Sequence, residues 1–378
     1  MIPLSVPNLA GNEWAYVKEC LDTGWISSAG AFVDRFEQQL AEFTGAGRAV
    51  ACVNGTAALH IALMLAGVKR DDAVLVPTLT FVASVNAISH LGAVPILIDA
   101  NPDDWQWDLD LVEECLTDHC TRDSSGALRT REGRRVTALM PVHVLGNMCD
   151  MDRLLKLAER FQLPVVEDST EALGSYYKKR HAGTFGVFGA FSFNGNKIIS
   201  TGGGGMIVSN DVALASRAKH ITTTAKAKVD EYFHDEIGYN YRLVNVLAAI
   251  GAAQMEQLPY FLRRKVEIAR SYRLALDGVA GVKFQKVGPL VSANEWLTTI
   301  RTSKQQALRK YLTSMDIQTR PFWVPMNELP MYSTALFVSR NNYARQIYSE
   351  CLSLPSSTNL KNESVQAVIT GVRNFLSA

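Results

Sequence analysis

The 378-residue sequence lacks several features that would assign it to a broad class. Its formal net charge is only +1 and 20% of its residues are charged, so no overall field attracts nucleic acid or an anionic membrane. No stretch approaches the roughly 18 apolar residues of a membrane span, and the N-terminus has no basic segment followed by an apolar one. We therefore expect a cytoplasmic protein with no nucleic-acid or membrane partner.

The sequence also has no cysteine framework and no common nucleotide or metal motif. Its six cysteines are scattered without a CxxC pair, which is typical of reduced, structural thiols in a chain of this length. There is no HExxH motif and no metal-type Cys/His spacing, so we predict no metal site. A P-loop and a GxGxxG motif after a strand are absent as well.

Short β-branched runs alternate with stretches of helical spacing, and this alternation predicts a mainly parallel sheet with helical crossovers. Ligands of such sheets bind at the carboxyl ends of the strands. The predicted strands are 49 to 53, 73 to 77, 94 to 99, 136 to 142 and 164 to 168. The predicted helices are 56 to 67, 81 to 91, 109 to 120 and 151 to 161.

Two further apolar runs, 187 to 193 and 205 to 209, flank a polar, Gly-rich loop that contains Lys197. A helical segment from about Leu243 to Leu258 precedes Pro259, after which the strand and helix alternation weakens. Because the chain is longer than one core usually supports, we predict two domains. A large domain spans 1-258 and a smaller α/β domain spans 259-378.

Residues 117 to 135 interrupt the sheet pattern with Ser, Gly and five arginines, and they predict a surface loop or hairpin. Solvated charge is the ordinary role of such a segment, and phosphate binding is the alternative.

Pyridoxal 5'-phosphate (PLP) needs a lysine for its imine, a carboxylate for its pyridine nitrogen and donors for its phosphate. Lys197 follows a predicted buried strand, where a desolvated amine would gain nucleophilicity, although most loop lysines are solvated charges. Asp168 ends a predicted central strand, where it could pair with the pyridinium or cap the next turn.

Donors for a phosphate come from the junction between the strand 49 to 53 and the following helix. The backbone N–H groups at Gly55 and Thr56 could bind the anion, although an N-cap by Asn54 or Thr56 requires the same pattern. Ser192 could add a hydroxyl or bond a neighbouring backbone group. Phe81 could stack on the ring or join the core.

Segments along nearly the whole chain resemble the DegT/DnrJ family of nucleotide-sugar aminotransferases. The resembling segments are GWISSAG (24 to 30), NGTAALH (54 to 60), VPTLTFVASVNAI (76 to 88), PVHVLG (141 to 146), VVEDSTEALGS (165 to 175), FSFNGNKIISTGGGGMI (191 to 207), GYNYRLVNVLAAIGAAQME (238 to 256) and TRPFWVPMNELPMY (319 to 332).

This resemblance implies the type I aminotransferase fold, PLP as cofactor, Lys197 as the imine lysine and Asp168 as the pyridine partner. It implies four further contacts, with Gly55, Thr56 and Ser192 at the phosphate and Phe81 on the ring. It also implies a homodimer with shared active sites, in which Asn240 reaches the phosphate of the other subunit. The alternative for Asn240 is a turn residue that bonds its own backbone.

Many family members carry Gln where this chain has Glu171. Together with FNGNK and the 117 to 135 segment, Glu171 resembles members that aminate UDP-linked 4-keto-6-deoxy-N-acetylhexosamines towards bacillosamine or legionaminic acid, with L-glutamate as donor. The alternatives are a dTDP-linked or GDP-linked keto-sugar as acceptor, or a PLP-binding regulator without activity. A related sugar dehydratase would carry histidine in place of Lys197.

Overall fold

The computed structural model describes residues 1–227, 229, 231–279 and 281–377. The helices are α1 (Glu13–Thr23), α2 (Ala31–Thr44), α3 (Gly55–Leu65), α4 (Val82–His90), α5 (Leu109–Asp118), α6 (Met151–Phe161), α7 (Val212–Thr222), α8 (Asn245–Leu276), α9 (Gln305–Ser314), α10 (Tyr343–Glu350) and α11 (Asn362–Ser377). Single 3-10 turns lie at Val144–Gly146, Met326–Glu328 and Pro330–Tyr332.

The strands are β1 (Arg48–Cys52), β2 (Ala73–Pro77), β3 (Val94–Ile98), β4 (Cys120–Arg122), β5 (Leu128–Thr130), β6 (Val136–Leu139), β7 (Val166–Asp168), β8 (Tyr176–Tyr177), β9 (Arg180–His181), β10 (Phe188–Ser192), β11 (Gly205–Ser209), β12 (Lys283–Phe284), β13 (Val291–Ser292), β14 (Thr299–Arg301), β15 (Arg320–Pro321), β16 (Phe337–Val338) and β17 (Cys351–Ser353).

The central sheet has the order β16-β3-β2-β6-β7-β10-β11-β1. Two four-stranded ladders form it, and parallel bridges from Leu139 to Val165 and from Val142 to Asp168 join them. Within it only β11 runs antiparallel to its neighbours β10 and β1. The expected mainly parallel sheet of the type I aminotransferase fold is therefore confirmed.

Helices cover both faces of this sheet, and the strand sequences show why. In β2, Val74 and Val76 pack into one buried cluster with α3 and α4, whereas Ala73 and Leu75 pack into a second cluster with α5 and α6. A strand that is buried on both faces must be apolar at every position, which is why these runs do not alternate with polar residues. All six cysteines are buried and unpaired, as expected.

The predicted strands and helices lie within a few residues of the observed ones, with one exception at Pro259. We expected the helix before this proline to end there, but α8 continues to Leu276. A proline inside a helix costs roughly 3 kcal/mol. Burial of Leu258 and Phe261 beside it, and of Tyr272 about three turns further on, outweighs that cost.

A third buried cluster brings the second half of α8 together with α9, α11, β14 and β17. This cluster is the core of the smaller C-terminal unit, but β16 from the same part of the chain pairs with β3 of the large sheet. The domain division between residues 258 and 259 stays a prediction.

Segment 117 to 135 contains the hairpin β4-β5, and its arginines are engaged locally. Arg129 pairs with Asp123, Arg134 with Asp71, and Arg135 with Asp72. The hairpin leads into the start of β6. The residue before β6, Arg135, accepts from the N–H of Ala73 at the start of β2. The hairpin therefore lies beside the amino ends of the parallel strands, opposite to the edge where ligands bind.

Among the described residues, no helix combines the length and the apolar character that crossing a membrane requires.

Candidate active site

A cavity of about 340 Å³ opens at the carboxyl edge of the central sheet. The loops that follow β1, β2 and β7 line it, together with the loop that joins β10 to β11. Parallel strands bring these loops to one edge although they are far apart in the sequence. The lining includes six of the seven candidates named from the sequence: Gly55, Thr56, Phe81, Asp168, Ser192 and Lys197.

The first turn of α3 presents hydrogen-bond donors to the cavity. Asn54 caps the helix by accepting from the Ala57 N–H at 2.8 Å, so the N-cap alternative is correct for this residue. The N–H groups of Gly55 and Thr56 precede the helix's own acceptors and have no partner within it. With the positive end of the helix dipole, they form a donor set suited to an anion.

Ser192 lies against this turn from the neighbouring strand β10. A Cβ atom on Gly55 would lie 2.9 Å from the Ser192 Cβ and 3.2 Å from the Thr170 Cγ2, so only glycine lets the two segments approach so closely. Within the described residues the Ser192 hydroxyl has no protein partner, unlike that of Ser84, which donates to Asp168 at 2.6 Å.

Asp168 ends β7 with a carboxylate that is 2% exposed. Its Oδ2 accepts from the Ser84 hydroxyl, and its Oδ1 accepts from the Thr170 N–H at 3.1 Å. The second contact is the turn cap that we considered as an alternative, so Asp168 caps the turn and also faces the cavity. Two hydrogen bonds hold the carboxylate in one orientation.

Lys197 is not a solvated loop lysine, because its side chain is only 14% exposed. Its Nζ lies 3.7 Å from the Glu171 Oε1 and 4.3 Å from the centre of the Trp296 ring. The indole Nε1 of Trp296 donates to the Asn196 carbonyl at 2.7 Å. The amine is thus held between a carboxyl group and an aromatic face.

Glu171 is itself buried, and its second oxygen accepts from the Leu145 N–H at 2.8 Å. Burial raises its pKa to about 7, although the nearby Lys197 ammonium and the Leu145 N–H act in the opposite direction. A carboxyl group in this state can exchange a proton close to neutral pH.

Two other candidates differ in their placement. Phe81 is 53% exposed and lines the cavity, so its alternative role as a core residue is excluded. Asn240 does not line the cavity of its own chain, and its Oδ1 accepts from the exposed Arg242 Nε rather than from its own backbone.

His143, in the PVHVLG segment, is fully buried. Its Nε2 lies 3.0 Å from the Glu167 Oε2, and the histidine is not part of the cavity lining. Its contact with Glu167 places it in the buried interior, beside the cavity residue Val142 in the sequence.

Sequence reasoning assigned no role to three cavity residues from the C-terminal third of the chain. They are Trp296, Arg320 and Trp323. Among the residues that the structure describes, no carboxylate oxygen lies within 4 Å of the Arg320 guanidinium, so Arg320 makes no ion pair with them. The segment 319 to 332 matched the family, but its residue order carries no signal that it folds over the carboxyl edge of a sheet whose strands lie mainly between residues 48 and 209.

The residues of the cavity fit PLP by the chemistry of their donors and acceptors. Unpaired N–H groups and a free hydroxyl suit the phosphate, a fixed carboxylate suits a protonated pyridine nitrogen, and a desolvated amine suits the aldehyde. These groups line one cavity on a sheet of the type I topology. The fold and the cavity together define a PLP-dependent aminotransferase.

Comparison with known proteins supports this class. A model of the DegT/DnrJ/EryC1/StrS aminotransferase family matches residues 7–373. The chain is 39% identical over 379 residues to a GDP-perosamine synthase of Escherichia coli O157:H7, covering 100% of this chain and 99% of the relative. EpsN of Bacillus subtilis (strain 168), whose name describes a pyridoxal phosphate-dependent aminotransferase, is 38% identical, covering 97% and 94%.

A solved structure, the aminotransferase TlmJ from Streptoalloteichus hindustanus, superimposes with a TM-score of 0.90 at 29% identity and covers 100% of this chain and 99% of TlmJ. The chain belongs to the DegT/DnrJ/EryC1/StrS aminotransferase family. It is a sugar aminotransferase that uses PLP as its cofactor.

Proposed function

We propose that the protein transfers the amino group of L-glutamate to C4 of UDP-2-acetamido-2,6-dideoxy-hexos-4-ulose. The observation that carries this proposal is Glu171, the residue that departs from the usual family pattern, because it lies in the cavity beside Lys197. Asn194 and Asn196 of the FNGNK segment also line the cavity. The 117 to 135 segment gives no support, since its hairpin lies at the other edge of the sheet.

Each cavity residue has a proposed role towards the cofactor. Bound PLP supplies an electron sink for the carbon that loses a proton. Lys197 would bind its aldehyde carbon, and Asp168 would keep its pyridine nitrogen protonated. Three residues would hold its phosphate, and one would cover its ring: Gly55, Thr56 and Ser192 at the phosphate and Phe81 at the ring.

Lys197 has a second role as the acid and base of the reaction. Once released as a free amine, its Nζ can take a proton from the amino-bearing carbon of the donor and return it at another carbon. A base must reach this proton directly, and Lys197 is the one lysine among the described residues that line the cavity. The Trp296 ring and Glu171 limit where the amine can move.

A GDP-linked keto-sugar is a second candidate acceptor, because the Escherichia coli relative at 39% identity is named a GDP-perosamine synthase. The two candidates differ in the nucleotide, so kcat/KM should be compared for UDP-, GDP- and dTDP-linked 4-keto-6-deoxy sugars with L-glutamate as donor. We expect the UDP-linked N-acetylated sugar to be used at least tenfold better. A preference for the GDP sugar would overturn the nucleotide assignment and keep the reaction class.

The same assay tests the regulator alternative. Bound PLP should change its visible absorption when L-glutamate is added, and the change should reverse when the keto-sugar follows. A preparation whose absorption does not respond to L-glutamate would support a PLP-binding regulator instead.

We further propose a homodimer in which Asn240 contributes to the phosphate site of the partner subunit. Asn240 is exposed and absent from the cavity of its own chain. Its neighbours Tyr239 and Tyr241 stack on each other with ring centres 5.0 Å apart, and both contact His60. This packing fixes the backbone at Asn240 and leaves its side chain directed away from the core.

Mixing the Lys197→Ala and Asn240→Ala variants tests the shared site. In a heterodimer of Lys197→Ala and Asn240→Ala subunits, one site carries both changes and the other carries neither. Activity should therefore return towards half that of the parent per heterodimer, provided that Asn240→Ala alone is clearly impaired. If subunits demonstrably exchange and no activity returns, Asn240 does not act across the interface.

A further inference from the structure

Glu171 is fixed at three points, and two of these do not involve Lys197. Its backbone carbonyl accepts from the Asn294 Nδ2 at 2.8 Å, and its Oε2 accepts from the Leu145 N–H at 2.8 Å. The residue is only 6% exposed. These contacts leave Oε1 as the oxygen that faces the Lys197 amine at 3.7 Å.

The turn that holds Glu171 has an unfavourable backbone conformation. Leu145 adopts φ 58° and ψ 21° inside the Val144–Gly146 turn, a left-handed conformation that costs a residue with a side chain about 1 kcal/mol or more. Gly146 follows at φ 78°, where a Cβ would lie 1.8 Å from the Asn294 Oδ1. The strained turn directs the Leu145 N–H at Glu171, which fits a functional constraint.

The charges around the Lys197 amine are few. Besides Lys197, the described charged residues that line the cavity are Asp168, Glu171 and Arg320. Asp168 is occupied by Ser84 and the Thr170 N–H. Glu171 is thus the carboxyl group that contacts the amine, and the uncharged face of Trp296 is its other close neighbour.

We propose that Glu171 is a positioning residue for Lys197. The Glu171 Oε1 holds the free Lys197 amine inside the cavity and stabilises the ammonium form of that amine. This proposal rests on the proposed function, because the proposed function gives the free Lys197 amine its catalytic role. A glutamine at this position would keep an acceptor for the Leu145 N–H but would lose the negative charge. The Lys197 amine would then lose the charged contact that favours its ammonium form.

The protonation of Lys197 can be measured in the protein without cofactor or substrate. Trace labelling with acetic anhydride near neutral pH, followed by peptide mass spectrometry, compares the reactivity of each lysine, because only a neutral amine is acetylated. An opposite charge within about 4–6 Å shifts a pKa by about 1–3 units. In Glu171→Gln, Lys197 should therefore be acetylated about tenfold faster than in the parent near neutral pH.

Glu295→Gln is the matched control. Glu295 is adjacent to Trp296 in the sequence but pairs with Arg273 at 3.1 Å and has no contact with Lys197. This variant should leave the labelling of Lys197 unchanged. In both variants Lys178, which pairs with Asp152 on the surface, should be labelled as in the parent.

Several outcomes decide the proposal. Labelling of Lys197 that changes less than twofold in Glu171→Gln, or equally in Glu295→Gln, would overturn it. If Glu171→Gln does not fold, as judged by circular dichroism, Glu171→Asp keeps the charge but withdraws it by one methylene. That variant should then raise the labelling rate about threefold, and an unchanged rate would overturn the proposal.

The holoenzyme gives an independent reading. Because the neutral amine is the active base, the acidic limb of the kcat profile should move to lower pH in Glu171→Gln but not in Glu295→Gln. If borohydride instead attaches PLP to another lysine, the proposed function fails while the labelling result still stands on its own.

Discussion

Substitution of Gly55 by alanine tests the phosphate site more sharply than removal of any one donor. The new Cβ would lie 2.9 Å from the Ser192 Cβ, against ordinary carbon contacts of about 3.5–4.0 Å. Gly55 itself begins α3 in an ordinary helical conformation, so the substitution introduces crowding without backbone strain. Either α3 or the Ser192 side chain must move by roughly half an ångström to one ångström.

The expected loss of PLP affinity follows from the hydrogen bond to the phosphate that this movement breaks. A hydrogen bond to a charged group contributes about 1.5–3 kcal/mol, and each 1.36 kcal/mol is a factor of ten in an equilibrium constant. If Ser192 and the first turn of α3 hold the phosphate, Gly55→Ala should raise the Kd for PLP about 10-fold to 150-fold. Overpacking should also destabilise the apoprotein by about 1–3 kcal/mol, partly offset by the about 0.4–1 kcal/mol that alanine gains over glycine.

Affinity can be measured by titrating the apoprotein with PLP and following the quenching of tryptophan fluorescence, since Trp296 and Trp323 line the cavity. Pyridoxal without the phosphate provides a second ligand. Its affinity should change little in Gly55→Ala, because the lost contacts are those of the phosphate.

Gly195→Ala is the control for this experiment. Gly195 follows Ser192 closely in the same segment, but a Cβ there would meet nothing within 4 Å. Its Kd for PLP should stay within about twofold of the parent. A Kd for Gly55→Ala that is no more than twofold above that of Gly195→Ala would refute the assignment of the phosphate to this turn.

Three further predictions concern the charged residues of the cavity. Lys197→Ala should abolish transamination, and borohydride should attach PLP to Lys197 in the parent; a label found on Lys178 or another lysine would show that the assignment is wrong. Asp168→Asn should still bind PLP but should lower kcat at least about 100-fold, because an amide cannot stabilise a protonated pyridine nitrogen; a loss of only a few-fold in steady-state assays would contradict this role. Since the pKa of Glu171 rises from 4.5 to about 7 on folding, its contribution to stability is present below pH 4.5 and is lost as the pH rises through about 7. Urea unfolding of the apoproteins measures this effect. The free energy of unfolding of Glu171→Gln should rise relative to that of the parent between pH 5 and pH 8, by at most about 3 kcal/mol. A difference between the two proteins that does not change with pH would exclude a raised pKa of Glu171.

The sequence predicted the elements of the central sheet because burial on both faces leaves a strong local pattern. Runs such as Ala73–Pro77 and Val94–Ile98 are apolar at every position, and their helical partners repeat with the spacing of an amphipathic helix. The error at Pro259 came from the same local reasoning. A proline is a reliable helix breaker only where tertiary packing does not compensate for the lost hydrogen bond.

Motif resemblance identified the family and named Lys197 and Asp168, although their local environments in the sequence were ambiguous. A lysine after Asn-Gly-Asn is compatible with a solvated loop, and an aspartate after a strand is compatible with a turn cap. The observed Asp168 does cap its turn. Local pattern alone could not separate the two roles, because one carboxylate has two oxygens and serves both.

The sequence by itself therefore determined the elements, their parallel arrangement and the chemistry that a family motif carries. Only the tertiary structure decided which distant side chains surround the Lys197 amine: Trp296, which lies about a hundred residues further along the chain, and Glu171 with its support from Leu145. The physical reason is that periodicity reports burial along one element, whereas a cavity depends on how separate elements pack. Contacts of that kind leave no spacing in the sequence from which they could be read.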